Sequence, residues 1–252
     1  MTPTMLVTRP AAQAADLVGQ LHSRDIRSVV VPTVAIDRVS TAADLDRMLS
    51  TLAGADWLVL TSANGAEALS ARMEATGQRV PDGTRVAAVG PATADALRTA
   101  GVRVDHVPGD YLTVEIASGL GDVRGRRVVL ARADAATPEL HDALLAGGAL
   151  VEEVVAYRTI EGPASSRDAL RIALHGDVGG ITFTSSSTVR GLLRLASPVD
   201  RGRARSLPAF CIGPVTAETA RRSGFHVAAV AAEHTAAGLA TTIAHHFSRG
   251  DR

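Results

Sequence analysis

Serine hydroxyls stand at two places where a short apolar run ends and an amphipathic stretch begins. Ser62 follows DWLVLT (56–61), and Ser185 follows ITFT (181–184). A hydroxyl in such a position can cap the following helix or donate a hydrogen bond to a ligand. For each serine taken alone, capping explains the residue at least as well as binding does.

Two further turns place glycine and proline at the same kind of boundary. They are VGPATADAL (89–97) and IGPVTAETA (212–220). Glycine lets the backbone turn sharply and proline suits the first helical turn, so Thr93 and Thr216 are predicted to lie beside unpaired backbone N–H groups. Such a turn can bind an anion, and it can equally be a cap that needs no ligand.

Arginines near the predicted strand ends add positive charge; they are Arg9, Arg132 and Arg158. Hydroxyls, backbone amides and guanidinium groups together suit a ligand that carries several carboxylates. The sequence therefore predicts a site for a polyanion at strand ends.

The composition of the chain excludes several other chemistries. All 26 basic residues are arginine, so a lysine Schiff base and a phosphate-loop lysine are impossible. The 26 acidic residues balance this charge, and the aromatic residues are four Phe, two Tyr and one Trp, which argues against a nucleic-acid partner. Because the histidines are scattered and Cys211 is the single cysteine, we predict no metal site and no intrachain disulfide.

The sequence shows no sign of export or membrane insertion. The start, MTPTMLVTRP, lacks the apolar stretch of a signal peptide, and apolar runs such as Val227–Ala232 are far too short to span a bilayer. A single cysteine fits a reducing compartment. We therefore predict a cytoplasmic protein with no membrane partner.

The two halves of the chain repeat one another at a constant offset. Adding 123 to a position carries Ser62 to Ser185, and GPATADALRTAG (90–101) aligns in the same register with GPVTAETARRSG (213–224). No insertion or deletion is needed between these landmarks. The chain is therefore predicted to contain two copies of one α/β unit.

Each copy alternates short Val, Leu and Ile runs with longer amphipathic stretches, a pattern typical of parallel strands joined by helices. Strands are predicted at Met5–Thr8, Ser28–Val31, Trp57–Thr61, Arg85–Val89, Val104–Val107, Val128–Ala131, Val151–Val155, Ile181–Thr184, Ala209–Ile212 and Val227–Val230. Helices are predicted up to His22 and at Asn64–Met73, Pro91–Ala100, Leu112–Leu120 and Ala236–Phe247. Because the clear strands are apolar throughout, helices should cover both faces of each sheet.

Other segments give no functional signal. The stretch Gly176–Gly180 precedes a predicted strand, whereas a dinucleotide fingerprint has its glycines after the strand. SPVDRGRARS (197–206) carries three arginines and is interpreted as a solvated surface loop. Neither Ser62 nor Ser185 lies in a G-x-S-x-G motif, which disfavours a hydrolase.

Taken in order, several segments resemble the uroporphyrinogen-III synthase family. They are MLVTRP, DWLVLTSANGAEAL, RVAAVGPATADALRTAGVRVDHVP, GRRVVLARADAATPELHDALLAGGALVEEVVAYRT, ITFTSSSTV and AFCIGPVTAETARRSGF. Each segment is a loose match, but their order and spacing are specific and span essentially the whole chain.

The resemblance implies two similar α/β domains, each a parallel sheet flanked by helices, joined by a two-stranded β-ladder. Residues 1–34 and 161–252 would form one domain and residues 35–160 the other. The chain would cross between them at Pro32–Asp37 and at Tyr157–Pro163. Each duplicated unit then lends its opening strand and helix to the other domain.

The resemblance also implies a reaction. Hydroxymethylbilane, a linear tetrapyrrole with many carboxylates, would be cyclised to uroporphyrinogen III with loss of water and inversion of ring D, in haem, sirohaem and cobalamin biosynthesis. No metal or organic cofactor is implied, and the family suggests a monomer. Loss of the substrate hydroxyl leaves a reactive azafulvene, which in water closes to the type I isomer, so the enzyme's task is chiefly to orient the chain.

Within that resemblance, Tyr157 in VVAYRT (154–159) matches the family tyrosine that assists departure of the hydroxyl. A phenol can donate such a hydrogen bond, and the alternative is a tyrosine that only packs at the ladder. The family positions that would grip substrate carboxylates are Ser62, Thr93, Ser185 and Thr216. A competing hypothesis is a non-catalytic ligand-binding or regulatory protein of the same fold, because fold alone does not fix function.

Overall fold

The computed structural model describes residues 4–109 and 115–250. The strands are Thr4–Val7 (β1), Ser28–Val30 (β2), Val34–Asp37 (β3), Trp57–Leu60 (β4), Arg85–Ala88 (β5), Arg127–Ala133 (β6), Leu150–Glu161 (β7), Val178–Phe183 (β8), Ala209–Cys211 (β9) and Val227–Val230 (β10). The α-helices are Ala11–His22 (α1), Ala42–Thr51 (α2), Ala63–Thr76 (α3), Pro91–Thr99 (α4), Glu115–Gly119 (α5), Glu139–Ala146 (α6), Arg167–His175 (α7), Ser186–Leu195 (α8), Pro198–Ser206 (α9), Pro214–Arg222 (α10) and Ala236–Gly250 (α11).

The chain forms two compact units. Unit 1 contains the chain up to Ala35 and again from Ile160, and unit 2 contains Ile36–Thr159. The sheet of unit 1 has the order β10-β9-β8-β1-β2, with parallel pairs throughout. The other sheet has the order β3-β7-β6-β4-β5, in which β7, β6, β4 and β5 are parallel.

The strands β3 and β7 are neighbours in that sheet, and each contains one of the two points where the chain passes from one unit to the other. They form the ladder expected between two similar α/β units. The predicted fold class, parallel sheets flanked by helices, is confirmed.

The duplication appears in the topology as an exchange of opening strands. Strand β4 of the first copy pairs with β6, so β4 and β5 share a sheet with β6 and β7, which open the second copy. Strand β8 of the second copy pairs with β1, so β8, β9 and β10 share a sheet with β1 and β2, which open the first. Adding 123 to β4 and β5 gives residues 180–183 and 208–211, which overlap β8 and β9.

Alternating strand residues supply a separate core on each face of each sheet, because successive side chains of a strand point to opposite faces. In unit 2, Leu58 and Leu60 belong to one buried cluster, and Trp57 and Val59 belong to another. The same alternation occurs in unit 1, where two further clusters lie on the two faces. Burial on both faces explains why these strands are apolar throughout.

One predicted strand is wrong. Residues 104–107 form only an isolated bridge, between His106 and Ala87. The carboxylate of Asp105 accepts a hydrogen bond from the backbone N–H of Val86 at 2.8 Å, while the Asp105 N–H donates to the Val86 carbonyl, also at 2.8 Å. A side chain thus takes the place of a backbone acceptor, and the regular ladder ends.

The predicted surface loop at 197–206 is also wrong, because Pro198–Ser206 is a helix. Ser197 caps it by accepting a hydrogen bond from the backbone N–H of Asp200 at 3.2 Å, and Pro198 occupies the first turn. These start signals are visible in the sequence. The three arginines lie on this helix and not in a loop.

Two smaller differences concern an unpredicted helix and the start of a strand. The sequence patterns do not predict helix Ala42–Thr51. The predicted strand begins after Gly180, whereas β8 begins at Val178 and contains Gly179 and Gly180. The predicted start of a helix at Leu112 lies outside the described residues. In the described ranges, no helix is long and apolar enough to span a bilayer.

Candidate functional site

The carboxyl ends of the parallel strands in unit 2 bring five candidate positions to one edge, which we call the unit 2 rim. Its members are Ser62, Gly90, Thr93, Arg132 and Tyr157. Leu60 at the end of β4 is level with Ala88 in β5 and with Ala131 in β6, so the residues that follow these strands start from the same height. Ligands of open parallel sheets bind at this edge.

Ser62 and Tyr157 form a hydrogen-bonded pair within the unit 2 rim. Ser62 caps α3, where its Oγ accepts a hydrogen bond from the backbone N–H of Gly65 at 3.1 Å. The same hydroxyl donates to the Tyr157 Oη at 3.1 Å. The ring of Tyr157 is 7% exposed and belongs to a buried cluster with Leu60 and Leu69. The serine therefore caps a helix and contacts the candidate catalytic group at once.

Thr93 and Thr216 occupy equivalent places in the two units. Each lies in the first turn of a helix that starts at Pro91 or Pro214. The threonines are 3% and 6% exposed, yet neither hydroxyl forms a hydrogen bond with the residues that the structure describes. A hydroxyl left without a protein partner in a mostly buried position favours a ligand or solvent partner.

Arg132 was predicted to offer positive charge to an anionic ligand, but its guanidinium is already paired inside unit 2. It donates to the carbonyl of Thr137 at 2.7 Å and forms an ion pair with Glu153. Only 9% of its side chain is exposed. Sequence reasoning missed Glu153, although an acidic residue inside the apolar run of β7 signals a charge partner. Arg158 lies exposed in the same strand.

The corresponding unit 1 rim consists of Arg9, Ser185, Gly213 and Thr216. Arg9 follows β1 and has no ion pair with any side chain in the described ranges. Burial lowers the pKa of its guanidinium, and the charge of Asp16 partly offsets this effect. An arginine remains charged at neutral pH in any case, so Arg9 presents a positive charge beside the strand end.

Ser185 caps α8 in the way that Ser62 caps α3. Its Oγ accepts a hydrogen bond from the backbone N–H of Thr188 at 3.3 Å, and it lies 2.8 Å from the Oγ of Ser187. The capping explanation raised from the sequence therefore fits both serines. What distinguishes them is the second partner, which is a phenol only for Ser62.

A groove within unit 2 lies elsewhere, between α2 and β7. It has a volume of about 460 Å³ and is lined by residues that include Arg47, Arg127 and Glu152. These charges are paired, Arg47 with Asp44 and Arg127 with Glu152, so the groove has little to offer an anion.

Nucleophilic and metal chemistry find no support in the described residues. Burial raises the pKa of the Cys211 thiol to about 11, so it is protonated at neutral pH and inert. Among those residues, no group of three or more His, Cys, Asp or Glu side chains is placed to hold a metal ion.

Two sheets of parallel strands related by duplication, with hydrogen-bond donors at the strand ends, define a class: an open-sheet α/β protein whose rims suit an anionic ligand. The family model described as "Uroporphyrinogen-III synthase HemD" matches residues 15–241. A uroporphyrinogen-III synthase from Synechococcus elongatus is 31% identical over 247 residues, which cover 95% of this chain and 94% of that protein.

Solved structures agree with this fold. A mutant uroporphyrinogen III synthase from the extremely thermophilic bacterium Thermus thermophilus is similar with a TM-score of 0.67 and 20% identity, over 98% of this chain and 100% of that chain. The synthetase from Helicobacter pylori gives a TM-score of 0.63 and 16% identity over the whole of both chains. The chain belongs to the uroporphyrinogen-III synthase family, a family of cyclising lyases in porphyrin biosynthesis. This membership disfavours the non-catalytic alternative.

Proposed function

We propose that this protein converts hydroxymethylbilane into uroporphyrinogen III, that its two rims bind substrate carboxylates, and that Tyr157 donates a proton to the departing hydroxyl. The observation that carries the assignment of Tyr157 is its hydrogen bond with Ser62, level with the carboxyl ends of β4 and β6.

Carboxylate binding falls to the groups that the protein leaves unpaired. The hydroxyls of Thr93 and Thr216 and the guanidinium of Arg9 are such groups, and the first turns of α4 and α10 add backbone N–H donors because a glycine N-cap supplies no side-chain acceptor. Each charge-assisted hydrogen bond stabilises a bound carboxylate by about 1.5–3 kcal/mol. Arg132 and Ser185 would contribute less, since their side chains already have protein partners.

Orientation then decides which isomer forms. Holding reacting groups in a productive arrangement can lower a barrier by about 7–11 kcal/mol, more than is needed to favour one ring closure over its neighbour. This logic requires no strong base and no metal, and it fits rims made of hydroxyls, backbone N–H groups and arginine. We further propose that the protein acts as a cytoplasmic monomer, with domains at residues 1–34 plus 161–252 and at residues 35–160.

The test is to incubate the purified protein with freshly prepared hydroxymethylbilane and to separate the type I and type III products. We expect the wild type to give type III product. We expect Tyr157→Phe to lower turnover by roughly 10²-fold or more, the range of general acid catalysis, with an unchanged melting temperature. Type I product at the spontaneous rate from the wild type would leave only a binding function, and unchanged turnover of Tyr157→Phe would assign this residue to packing.

A further inference from the structure

We propose that Ser62 is a positioning residue for Tyr157: it fixes the direction in which the phenol donates its proton and stabilises the oxygen that remains. The proposal rests on the proposed function, in which Tyr157 donates to the substrate hydroxyl. It gives Ser62 a role different from contact with a substrate carboxylate.

The direction follows from the number of hydrogens available. A serine hydroxyl has one hydrogen, and that of Ser62 is donated to the Tyr157 Oη at 3.1 Å. The Ser62 Oγ in turn accepts from the Gly65 N–H. The phenol is thus an acceptor in this pair, and its own hydrogen is free to be donated to another group.

The buried ring makes this arrangement precise. Tyr157 is 7% exposed and packs among buried apolar residues of unit 2, so the position of its oxygen is fixed and only the torsion of the O–H bond remains. A phenol O–H prefers the plane of the ring, with two opposite settings. The Ser62 hydrogen occupies one side of the oxygen, which leaves the other setting for donation.

The backbone at the start of α3 sets the direction of this chain of hydrogen bonds. The donors run in one direction, from the Gly65 N–H at the N-terminus of α3 through Ser62 to Tyr157. The N-terminus of a helix carries a partial positive charge, and aligned hydrogen bonds strengthen one another. Both effects favour Ser62 as the donor to the phenol oxygen.

The chemical step balances. The proton moves from the Tyr157 oxygen to the hydroxyl of hydroxymethylbilane, the C–O bond breaks with its electron pair on oxygen, and water leaves together with an azafulvenium cation. Tyr157 is then a tyrosinate, stabilised by the Ser62 donor. The proton that ring closure releases from the substrate carbon returns to it.

The duplication supplies a matched comparison for Ser62. Subtracting 123 from Tyr157 gives Val34, so the first copy has no phenol at the equivalent position. Ser185, the counterpart of Ser62, caps its helix and pairs with Ser187. Ser185 is therefore a matched control: the same residue in the same kind of turn, without a tyrosine.

The experiment is a pair of double-mutant cycles on the full-length protein, with kcat and KM measured for type III formation. One cycle combines Ser62→Ala with Tyr157→Phe, and the other combines Ser185→Ala with Tyr157→Phe. We expect Ser62→Ala to lower kcat roughly tenfold, the effect of one hydrogen bond, with KM little changed. In the Tyr157→Phe background it should lower kcat no further, whereas the effect of Ser185→Ala should be the same in both backgrounds.

Two more variants separate positioning from capping. Ser62→Gly retains most of the capping preference without a hydroxyl, so it should match Ser62→Ala in kcat while keeping the melting temperature. Ser62→Thr restores the hydroxyl and should restore kcat. Independent, multiplicative effects of Ser62→Ala and Tyr157→Phe would overturn the proposal, as would a Tyr157→Phe enzyme of normal turnover. Failure of the wild type to form type III product would instead overturn the proposed function.

Discussion

Among single residues, Thr93 and Thr216 point most clearly to a bound ligand. Their hydroxyls have no partner in the described chain and are not among its fully buried polar atoms, so they are open to a ligand. The contrast with Arg132 is instructive, because an ion pair with Glu153 and a bond to Thr137 already satisfy that side chain. Charge alone is therefore a poorer guide to the site than an unmet hydrogen-bonding capacity.

We predict that Thr93→Val and Thr216→Val each raise KM roughly tenfold, since each variant removes one charge-assisted hydrogen bond and keeps the side-chain shape. Steady-state kinetics and thermal melting of the same samples check this. Thr99→Val is the control: Thr99 lies at the last turn of α4 and bonds the Asp95 carbonyl at 2.8 Å. Its KM should stay normal. A loss of melting temperature in Thr93→Val without a change in KM would show that Thr93 only stabilises the helix.

Helix α8 illustrates how one element is fixed against its neighbours within unit 1. A Cβ added at Gly191 would lie 1.9 Å from the carbonyl oxygen of Thr33. That carbonyl accepts a hydrogen bond from the Gly162 N–H at 2.9 Å, and the Thr33 hydroxyl donates to the Thr188 carbonyl at 2.8 Å. The helix that starts at Ser186 is therefore held by the segments next to β3 and β7.

Because of this close approach, Gly191→Ala should lower the free energy of unfolding by about 1–3 kcal/mol, the usual cost of overpacking. Gly202→Ala in α9 is the matched control. Nothing lies within 4 Å of a Cβ there, so the variant should gain about 0.5–1 kcal/mol from the better helix propensity of alanine. Urea unfolding measures the change in the free energy of unfolding for both variants. The same sign for the two variants would contradict this account.

Helix α9 depends on a carboxylate. Asp200 is buried, accepts from the Ser197 hydroxyl at 2.7 Å and lies 2.9 Å from the Nε2 of His175 in α7. The hydrogen bond from Ser197 holds the pKa of Asp200 below its ordinary value, with a smaller contribution from His175. A depressed pKa in the folded state means that the ionised form stabilises the fold.

This linkage has a definite sign. The stabilisation is complete above the ordinary carboxyl pKa of about 3.9 and is lost as the pH falls through the folded-state value. Asp200→Asn should therefore be less stable than the wild type by about 1 kcal/mol near neutral pH, the size of a lost cap interaction. The difference should shrink in acid. Urea unfolding at several pH values tests it, and a pH-independent difference would mean that the charge is irrelevant.

The whole molecule consists of two units, each with its own sheet and two core clusters. Only unit 2 is continuous in sequence. We therefore predict that residues 34–161, which include β3 and β7 entire, fold alone. Circular dichroism and a cooperative thermal transition are the measurements.

The isolated segment should form no type III product above the spontaneous background, because it lacks Arg9 and Thr216. The full-length chain under the same conditions is the control. A segment that stayed unfolded would show that unit 2 depends on the rest of the chain, and an active segment would show that the unit 1 rim is not needed for the reaction.

Local sequence information predicted much of the fold. The offset of 123 residues, the apolar strands and the Gly-Pro turns all depend on neighbouring residues or on repetition, and the structure contains the corresponding elements. The start signals of α9 were equally local and were overlooked. The strand at 104–107 could not be judged in this way, because its ladder ends where the Asp105 carboxylate meets Val86.

The amino-acid sequence by itself determined the class of fold, the family and the turns that carry the candidate donors, since periodicity and turn chemistry are encoded over a few residues. Only the tertiary structure decided which donors are free. It joined Ser62 to Tyr157 across 95 positions, paired Arg132 with Glu153 and left Thr93 and Thr216 without a partner in the described chain. Hydrogen-bond partners of this kind come from strands that are neighbours in space, and local patterns do not record that adjacency.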